Sequence, residues 1–261
     1  MINQNKLLAK IAVFDSGLGS ISIIKEIKKI MKADIVYFAD QKNYPYGNKS
    51  QAQIASIIKK TINLLEEKFT PDIIVVASNT PSLMLNLQTG KIIDVKPPLK
   101  LAQKKSKSKK IGILATKASV NSKGLENYVK ENNIPKSYKI FKINGSNLVD
   151  LVESGKFLNN KKYCKKIIKK SLDDYIITEN IDTITLSSTH LLFLKKLLEK
   201  EYPKVEFVDP GSLVAKKIFH KIKNKQSKRN SLKIFTSGNI INFKNKLNKI
   251  GIKNKINYLS T

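Results

Sequence analysis

The sequence predicts an α/β protein with two pseudo-symmetric lobes, each a mainly parallel sheet flanked by helices, and an active-site cleft between them. Short apolar runs rich in Ile and Val alternate with longer runs of helical periodicity, which indicates β-α-β units. Two of the strand-like runs return further along the chain in the same order, which predicts a repeated unit. All four of these runs become polar at their carboxyl ends, where open α/β sheets bind ligands.

The strand-like runs share a short length and an apolar centre. In chain order they are KIAVFD (10–15), DIVYFAD (34–40), DIIVVAS (72–78), KIGILAT (110–116), KIFKI (139–143), DTITLSS (182–188), VEFVD (205–209) and KIFTSG (233–238). The helical run SQAQIASIIKKTINLLEEKF (50–69) follows the second strand, and we predict Ser50 as its N-cap. Two accounts stay open for Thr80: it caps the helix after the third strand, with Pro81 as the first helical residue, or it contacts a ligand.

The repeat relates segments from the two parts of the chain. KIAVFDSG (10–17) is similar to KIGILATK (110–117), and DIIVVASNT (72–80) is similar to DTITLSSTH (182–190). Ser78 is therefore the counterpart of Ser188, and each of these serines is expected to reach a shared cleft from its own lobe.

Two proline-containing segments predict the boundaries between the lobes. They are Lys96-Pro97-Pro98 and Asp209-Pro210-Gly211. We therefore assign residues 1–97 and 209–261 to the first lobe and residues 98–208 to the second. This assignment requires the C-terminal part to pack back onto the first lobe.

The charge of the chain raises the question of nucleic-acid binding. The 261 residues include 49 basic and 20 acidic ones, a formal net charge of +29. Arg229 is the only arginine, whereas surfaces that read bases favour its planar fork over lysine. Because the lysines are spread along the whole chain, we interpret the charge as a compositional trend and expect no nucleic-acid partner. A nucleic-acid-associated protein remains an alternative, and steep salt dependence of binding would identify it.

Other features bear on the compartment. No apolar run approaches the ~20 residues of a membrane span, and the start MINQNKLLAK lacks the apolar centre of a secretory signal. The one cysteine, Cys164, excludes a disulfide framework within the chain and lies in a helical run far from every strand end. These observations predict a cytoplasmic protein in which Cys164 is not catalytic.

The first strand end, FDSGLGS (14–20), does not fit a nucleotide site. Its glycine pattern has Ser22 where G-x-G-x-x-G needs a third glycine, and the Asp15 carboxylate would repel a pyrophosphate. A carboxylate beside free backbone N–H groups suits a zwitterion better. The alternative is a tight turn in which Asp15 or Ser16 caps the following helix.

His190 is the strongest single candidate for acid–base chemistry. It directly follows the strand end that carries Ser188 and Thr189, whereas His220 lies in a run that predicts a helix surface. Glu153 is either its partner or a solvated side chain. The sequence has no His/Cys spacing typical of a metal site and no G-x-S-x-G elbow.

Eight segments together resemble the glutamate racemases of the aspartate/glutamate racemase superfamily. In chain order they are VFDSGLGS, PYG, VVASNT, ILAT, LVESG, LSSTH, VDPGS and FTSG, and the match runs over roughly residues 9–251. The resemblance implies a cofactor-independent isomerase that interconverts L- and D-glutamate for peptidoglycan and cell-wall synthesis. It also implies a small-molecule substrate, no metal and no membrane, and it is compatible with a homodimer.

The resemblance also implies roles for individual residues. Ser78 and Ser188 stand where the family has two proton-transferring thiols, and Asp15, Glu153 and His190 stand where it has groups that assist them. The implied glutamate pocket consists of Asp15, Ser16, Tyr46, Gly47, Asn79, Thr80, Thr189 and His190.

The two serines change what the site is expected to do. A cysteine thiol ionises near ~8.5, whereas a serine hydroxyl is far less acidic and needs an adjacent base. We therefore expect slow turnover. The alternative is a catalytically silent pseudo-racemase that binds glutamate or a related dicarboxylate. A one-base lyase or decarboxylase that uses His190 is a third hypothesis.

Overall fold

The chain folds as an α/β protein with two parallel sheets covered by helices, as the sequence predicted. The structure is a computed structural model that describes residues 8–85, 87, 90–225 and 227–261. Its strands are β1 (Lys10–Asp15), β2 (Asp34–Ala39), β3 (Ile73–Val76), β4 (Ile92–Asp94), β5 (Lys110–Ala115), β6 (Lys139–Asn144), β7 (Thr183–Leu186), β8 (Glu206–Val208), β9 (Ser231–Thr236) and β10 (Ile256–Tyr258).

The helices lie mainly between consecutive strands. They are α1 (Ser20–Ile30), α2 (Gln51–Phe69), α3 (Asn79–Met84), α4 (Leu99–Lys105), α5 (Lys117–Val120), α6 (Lys123–Glu131), α7 (Ser146–Glu153), α8 (Lys156–Asn159), α9 (Lys161–Asp173), α10 (Lys195–Glu201), α11 (Gly211–Ile222) and α12 (Ile240–Lys249). Short 3-10 turns lie at Gln41–Asn43, Tyr46–Asn48 and Thr189–Leu194.

The second sheet repeats part of the first. The first sheet has the order β10-β9-β2-β1-β3-β4 and the second the order β6-β5-β7-β8, so that β5 to β8 reproduce the arrangement of β1 to β4. Equivalent hydrogen bonds hold the equivalent strand ends: Ala77 N–H donates to Phe14 O at 2.8 Å, and Ser187 N–H donates to Leu114 O at 2.8 Å. The two pseudo-symmetric lobes predicted from the repeat are therefore confirmed.

The central strands β1, β3, β5 and β7 are buried along nearly their whole length, which explains why apolar residues predominate in them. In β1, Ile11 and Val13 join a core cluster with residues of α1 and α11, whereas Ala12 and Phe14 join a cluster with residues of α2. The first sheet takes its strands from residues 10–94 and 231–258, and the second takes them from residues 110–208. The lobe boundaries near residues 97 and 209 stay a prediction.

The C-terminal part returns to the first lobe, as expected. The strand β9 pairs with β2, and Phe243 and Leu247 of α12 belong to the core of the first sheet. The edge strands β4 and β10, of three residues each, were not predicted from the sequence.

The two helix starts predicted from capping residues have different outcomes. Ser50 caps α2 as predicted, because its Oγ accepts the N–H of Gln53 at 3.2 Å. Of the two accounts of Thr80, capping is excluded, because α3 begins at Asn79 and Thr80 lies inside it. The Thr80 hydroxyl instead contacts Ser119 of the second lobe at 3.2 Å, so a contact between lobes takes the place of a cap.

Two residues lie where the sequence analysis placed them. Cys164 is buried in α9 within the core of the second sheet, and His220 lies on α11 and is exposed. Across the ranges that the structure describes, none of the helices combines the length and apolar character needed to cross a bilayer.

Candidate active site

A small cavity lies where the carboxyl ends of both sheets meet. Its volume is about 60 Å³, and both lobes contribute side chains to its wall. The lining residues are Ser16, Tyr44, Pro45, Tyr46, Gly47, Ser78, Asn79, Thr80, Thr116, Ser119, Val149, Ser187, Ser188, Thr189 and His190. The structure therefore brings most of the predicted site residues together. Asp15 and Glu153 do not line the cavity.

Ser78 and Ser188 reach this cavity from equivalent positions. Each lies two residues beyond its strand, β3 or β7, and directly before a helical segment. Both have an extended backbone, and neither side chain caps the helical segment that follows. Their hydroxyl groups are therefore free of a capping role on both sides of the cavity.

Asn79 carries an unusual buried amide. The residue is 4% exposed, and among the described residues neither its Oδ1 nor its Nδ2 has a hydrogen-bond partner. Leaving a buried polar group unpaired costs about 1–3 kcal/mol, so a bound ligand or water molecule is the usual partner of such a group. Its donor and acceptor make this side chain a ready binding group for a polar ligand.

A row of hydroxyl groups crosses the lobe boundary beside the cavity. Ser119 Oγ lies 3.2 Å from Thr80 Oγ1 and 3.0 Å from Thr116 Oγ1. The sequence analysis did not name Ser119 or Thr116 as site residues. The repeat contained the signal for Thr116, because it is the counterpart of Ser16 in the first lobe.

Tyr46 lines the cavity with its ring, while its hydroxyl forms a hydrogen bond away from the cavity. The phenol donates to Asp40 Oδ2 at 3.1 Å, and Asp40 also accepts hydrogen bonds from Asn43 and Ser237. Burial and the Asp40 carboxylate raise the pKa of Tyr46 well above its usual range. This phenol is therefore no source of acid–base chemistry near neutral pH.

Asp15 holds the turn that precedes α1. Its Oδ1 accepts the N–H of Gly17 and its Oδ2 the N–H of Ser20, both at 3.0 Å. This is the capping arrangement that the sequence left open as an alternative. Burial raises the pKa of Asp15 to about 7, although nearby His190 and the two backbone N–H groups act in the opposite direction.

Glu153 is the partner of His190. His190 Nε2 lies 3.0 Å from Glu153 Oε2, and both side chains are buried. Burial acts to raise the pKa of Glu153, but hydrogen bonds from His190 and Lys246 outweigh it and lower the pKa to about 2. Burial acts to lower the pKa of His190, but the bond to Glu153 outweighs this effect and the pKa is raised.

The two glycines of FDSGLGS permit a close approach of the second lobe. A Cβ atom on Gly17 would lie 2.8 Å from Glu153 Oε2. One on Gly19 would overlap Thr189 Oγ1 and lie 2.6 Å from Asp15 Oδ2. This packing explains the glycine pattern without a nucleotide.

Thr189 joins the two lobes next to the cavity. Its hydroxyl donates to the carbonyl oxygen of Ala77 at 3.1 Å, and its own carbonyl accepts from Ser22 Oγ at 3.0 Å. The side chain that lines the cavity therefore also fixes how the lobes meet.

The described residues offer no metal centre. Within residues 8–85, 87, 90–225 and 227–261, no group of three or more His, Cys, Asp or Glu side chains could hold a metal ion. The expectation of a cofactor-free site stays a prediction.

Comparison with known proteins gives a consistent set of relatives. A glutamate racemase from Sulfurihydrogenibium is 34% identical over 206 residues, covering 76% of this chain and 77% of that protein. The solved glutamate racemase of Aquifex pyrophilus is 29% identical with a TM-score of 0.73, covering 95% and 98% of the two chains. Escherichia coli glutamate racemase, solved with L-glutamate and the activator UDP-MurNAc-Ala, has a TM-score of 0.82 at 22% identity over 97% and 98%. No protein-family model matches the sequence.

Proposed function

Because the chain belongs to the glutamate racemase family, we propose that it binds glutamate in this cavity and interconverts the L- and D-forms without a cofactor. The observation that carries the proposal is the position of Ser78 and Ser188, which reach one cavity from equivalent strand ends of two lobes. Inversion at Cα requires a proton acceptor on one face of the substrate and a donor on the other. Two related lobes supply one group for each face.

The lining of the cavity supports an amino-acid substrate. Hydroxyl and amide groups predominate, and the unpartnered amide of Asn79 can both donate to a carboxylate and accept from an ammonium. The related Escherichia coli protein was solved with L-glutamate. At about 60 Å³ the cavity is smaller than the roughly 300–1,000 Å³ of typical ligand pockets, so we propose that it widens when glutamate binds.

The site residues divide into two groups by position. The pocket residues that would contact glutamate are Ser16, Tyr46, Gly47, Asn79, Thr80, Thr189 and His190. Asp15 and Glu153 act from behind the wall, where Asp15 holds the turn before α1 and Glu153 holds the His190 ring. The direct contact between Asp15 and glutamate implied by the family resemblance is therefore not part of the proposal.

The proposed turnover is slow. If Ser78 and Ser188 replace thiols, each needs a neighbouring base to accept a proton. His190 follows Ser188 closely, but the neighbour of Ser78 is the neutral Asn79. Each pKa unit of lost acid–base matching costs about 1.4 kcal/mol, or about tenfold in rate.

A second candidate function is a silent pseudo-racemase that binds glutamate or a related dicarboxylate. The retained polar pocket favours it, because the amide of Asn79 stays buried and unpartnered among the described residues while hydroxyl groups hold both proton-transfer positions. Under either function we propose a cytoplasmic protein. D-Glutamate for peptidoglycan is the proposed product of the active form, and a homodimer is compatible with both.

Exchange of the glutamate α-proton tests these alternatives directly. Purified protein is incubated in deuterated buffer with L-glutamate or D-glutamate, and the Cα–H signal is followed by proton NMR. The Ser78→Cys/Ser188→Cys double variant and the His190→Ala variant are measured alongside.

Slow exchange of both enantiomers by the natural sequence, with that of one enantiomer lost in His190→Ala, supports the racemase. Exchange only in the double-cysteine variant supports the pseudo-racemase. If neither protein exchanges or binds glutamate, the glutamate proposal is wrong.

A further inference from the structure

Lys246 makes an ion pair across the lobe boundary. It lies on α12, whose residues Phe243 and Leu247 pack into the core of the first sheet. Its Nζ donates to Glu153 Oε1 at 2.7 Å, and Glu153 lies on α7 of the second lobe. The Lys246 side chain is 34% exposed and that of Glu153 is 8% exposed, so the ammonium reaches inward to a buried carboxylate.

The two oxygens of Glu153 have separate tasks. Oε1 accepts from Lys246, whereas Oε2 contacts His190 Nε2 at 3.0 Å and accepts the Leu18 N–H at 3.2 Å. Lys246 and Leu18 both belong to the first lobe, while His190 lies in the second with Glu153. The carboxylate that orients His190 is therefore itself held by the opposite lobe.

We propose that Lys246 is a positioning residue of this site: its ammonium shares the Glu153 carboxylate with His190 and thereby keeps the imidazole available as a proton acceptor when the lobes are together. This inference deepens the proposed function and rests on it for the role of His190 in proton transfer. The contacts that carry it are the Lys246–Glu153 and Glu153–His190 pairs.

The charges around His190 support this role. Among the described residues, the charged groups that act on the imidazole are Glu153 from α7, Asp15 from β1 and Lys246 from α12. Burial acts to lower the pKa of His190, the two carboxylates act to raise it, and Lys246 acts to lower it. Lys246 therefore offsets part of the carboxylate charge. When Lys246 is removed, we expect His190 to bind its proton more tightly, which raises its pKa.

An NMR titration of the histidine rings measures this effect without any substrate. The sequence has two histidines, His190 and His220 on α11, so each spectrum contains an internal reference. The test variant is Lys246→Met, and Lys246→Arg is the charge-conserving rescue. Lys249→Met is the matched control. Lys249 lies on the same helix as Lys246 and lines the same surface cleft beside Glu153, but it forms no ion pair among the described residues.

We expect Lys246→Met to shift the His190 midpoint upward, while Lys246→Arg and Lys249→Met leave it in place and His220 stays constant in all three. An unchanged or lowered midpoint in Lys246→Met overturns the proposal, as does an equal shift in Lys249→Met. Where the natural protein exchanges the glutamate α-proton, the acid limb of that activity moves upward by the same shift. If exchange is absent in the natural protein, the proposed function fails, while the titration still decides the role of Lys246.

Discussion

Ser188 repeats the backbone of Ser78: φ and ψ are −147° and 134° at Ser188 and −142° and 127° at Ser78. The same local fold therefore presents one hydroxyl from each lobe to a shared cavity. In a racemase this arrangement places one group on each side of the substrate Cα. Under the proposed racemase function, the two positions would be equivalent in geometry and would serve opposite faces of Cα.

Single cysteine substitutions should separate the two faces. We expect Ser78→Cys to accelerate α-proton exchange of one glutamate enantiomer and Ser188→Cys that of the other, each by at least about tenfold, because the pKa of a thiol is much closer to the working pH than that of a hydroxyl. Proton NMR in deuterated buffer measures both rates. If both variants accelerate exchange of the same enantiomer, the two side chains do not serve opposite faces.

Asn79→Ala should weaken binding without weakening the fold. The substitution removes a buried amide that has no partner among the described residues, so we expect the free energy of unfolding to stay the same or to rise. If the amide binds glutamate, its loss should reduce affinity about 10- to 100-fold, which corresponds to about 1–3 kcal/mol. Calorimetric titration and urea unfolding measure the two effects.

Asn127 offers a matched control for this experiment, because it lines a different cleft. Asn127→Ala should change neither glutamate affinity nor stability. A large loss of stability in Asn79→Ala, with affinity retained, would assign Asn79 to the fold and not to the ligand.

Local patterns predicted most of the fold, whereas the family resemblance named most of the candidate site residues. The alternation of apolar and amphipathic runs identified β1 and α2, and the repeat alone paired Ser78 with Ser188. The first signal depends on residues close together in the chain, where spacing decides which side chains share a face. The second depends on the similarity of two segments about 110 residues apart.

Contacts between the lobes could not be predicted in the same way. Lys246 is one of many lysines in the chain, and nothing in the sequence around it marks it as a partner of Glu153. Its side chain nevertheless reaches Glu153 across the lobe boundary. The role of Thr80 could not be predicted for a similar reason, because its hydroxyl contacts Ser119 of the other lobe and does not cap a helix. Tertiary contacts of this kind leave no periodic trace in the sequence.

Asp15→Asn should change how stability depends on pH. The folded pKa of about 7 lies above the ordinary value of 3.8, so the folded state binds the proton more tightly and stability falls as pH rises from about 4 to 7. The slope for one group is at most about 1.4 kcal/mol per pH unit, and we expect it to be reduced in Asp15→Asn. Urea unfolding between pH 5 and 7 measures it.

Other groups must be separated from this effect. The pKa of Glu153 is lowered to about 2, so its contribution is present above about pH 4.5 and is lost only below it. The raised pKa of His190 gives a further decline as pH rises through it, and this decline should remain in Asp15→Asn. An identical slope in the natural protein and the variant would show that Asp15 is ionised throughout this range.

Gly19→Ala should disturb the contact between the lobes. The added Cβ would overlap Thr189 Oγ1, which is already bonded to the Ala77 carbonyl, and would lie 2.6 Å from Asp15 Oδ2. Because neither group can shift without breaking a hydrogen bond, we expect a loss of about 1–3 kcal/mol in the free energy of unfolding, together with weaker glutamate binding.

Gly90→Ala is the control, since no described atom lies within 4 Å of its Cβ, and it should change stability by less than about 0.5 kcal/mol. In Gly19→Ala/Thr189→Ala the cost should be smaller than the sum of the two single losses, because the second substitution removes the overlapping oxygen. Strict additivity in this cycle would mean that Gly19 is required for its own turn and not for the approach of Thr189.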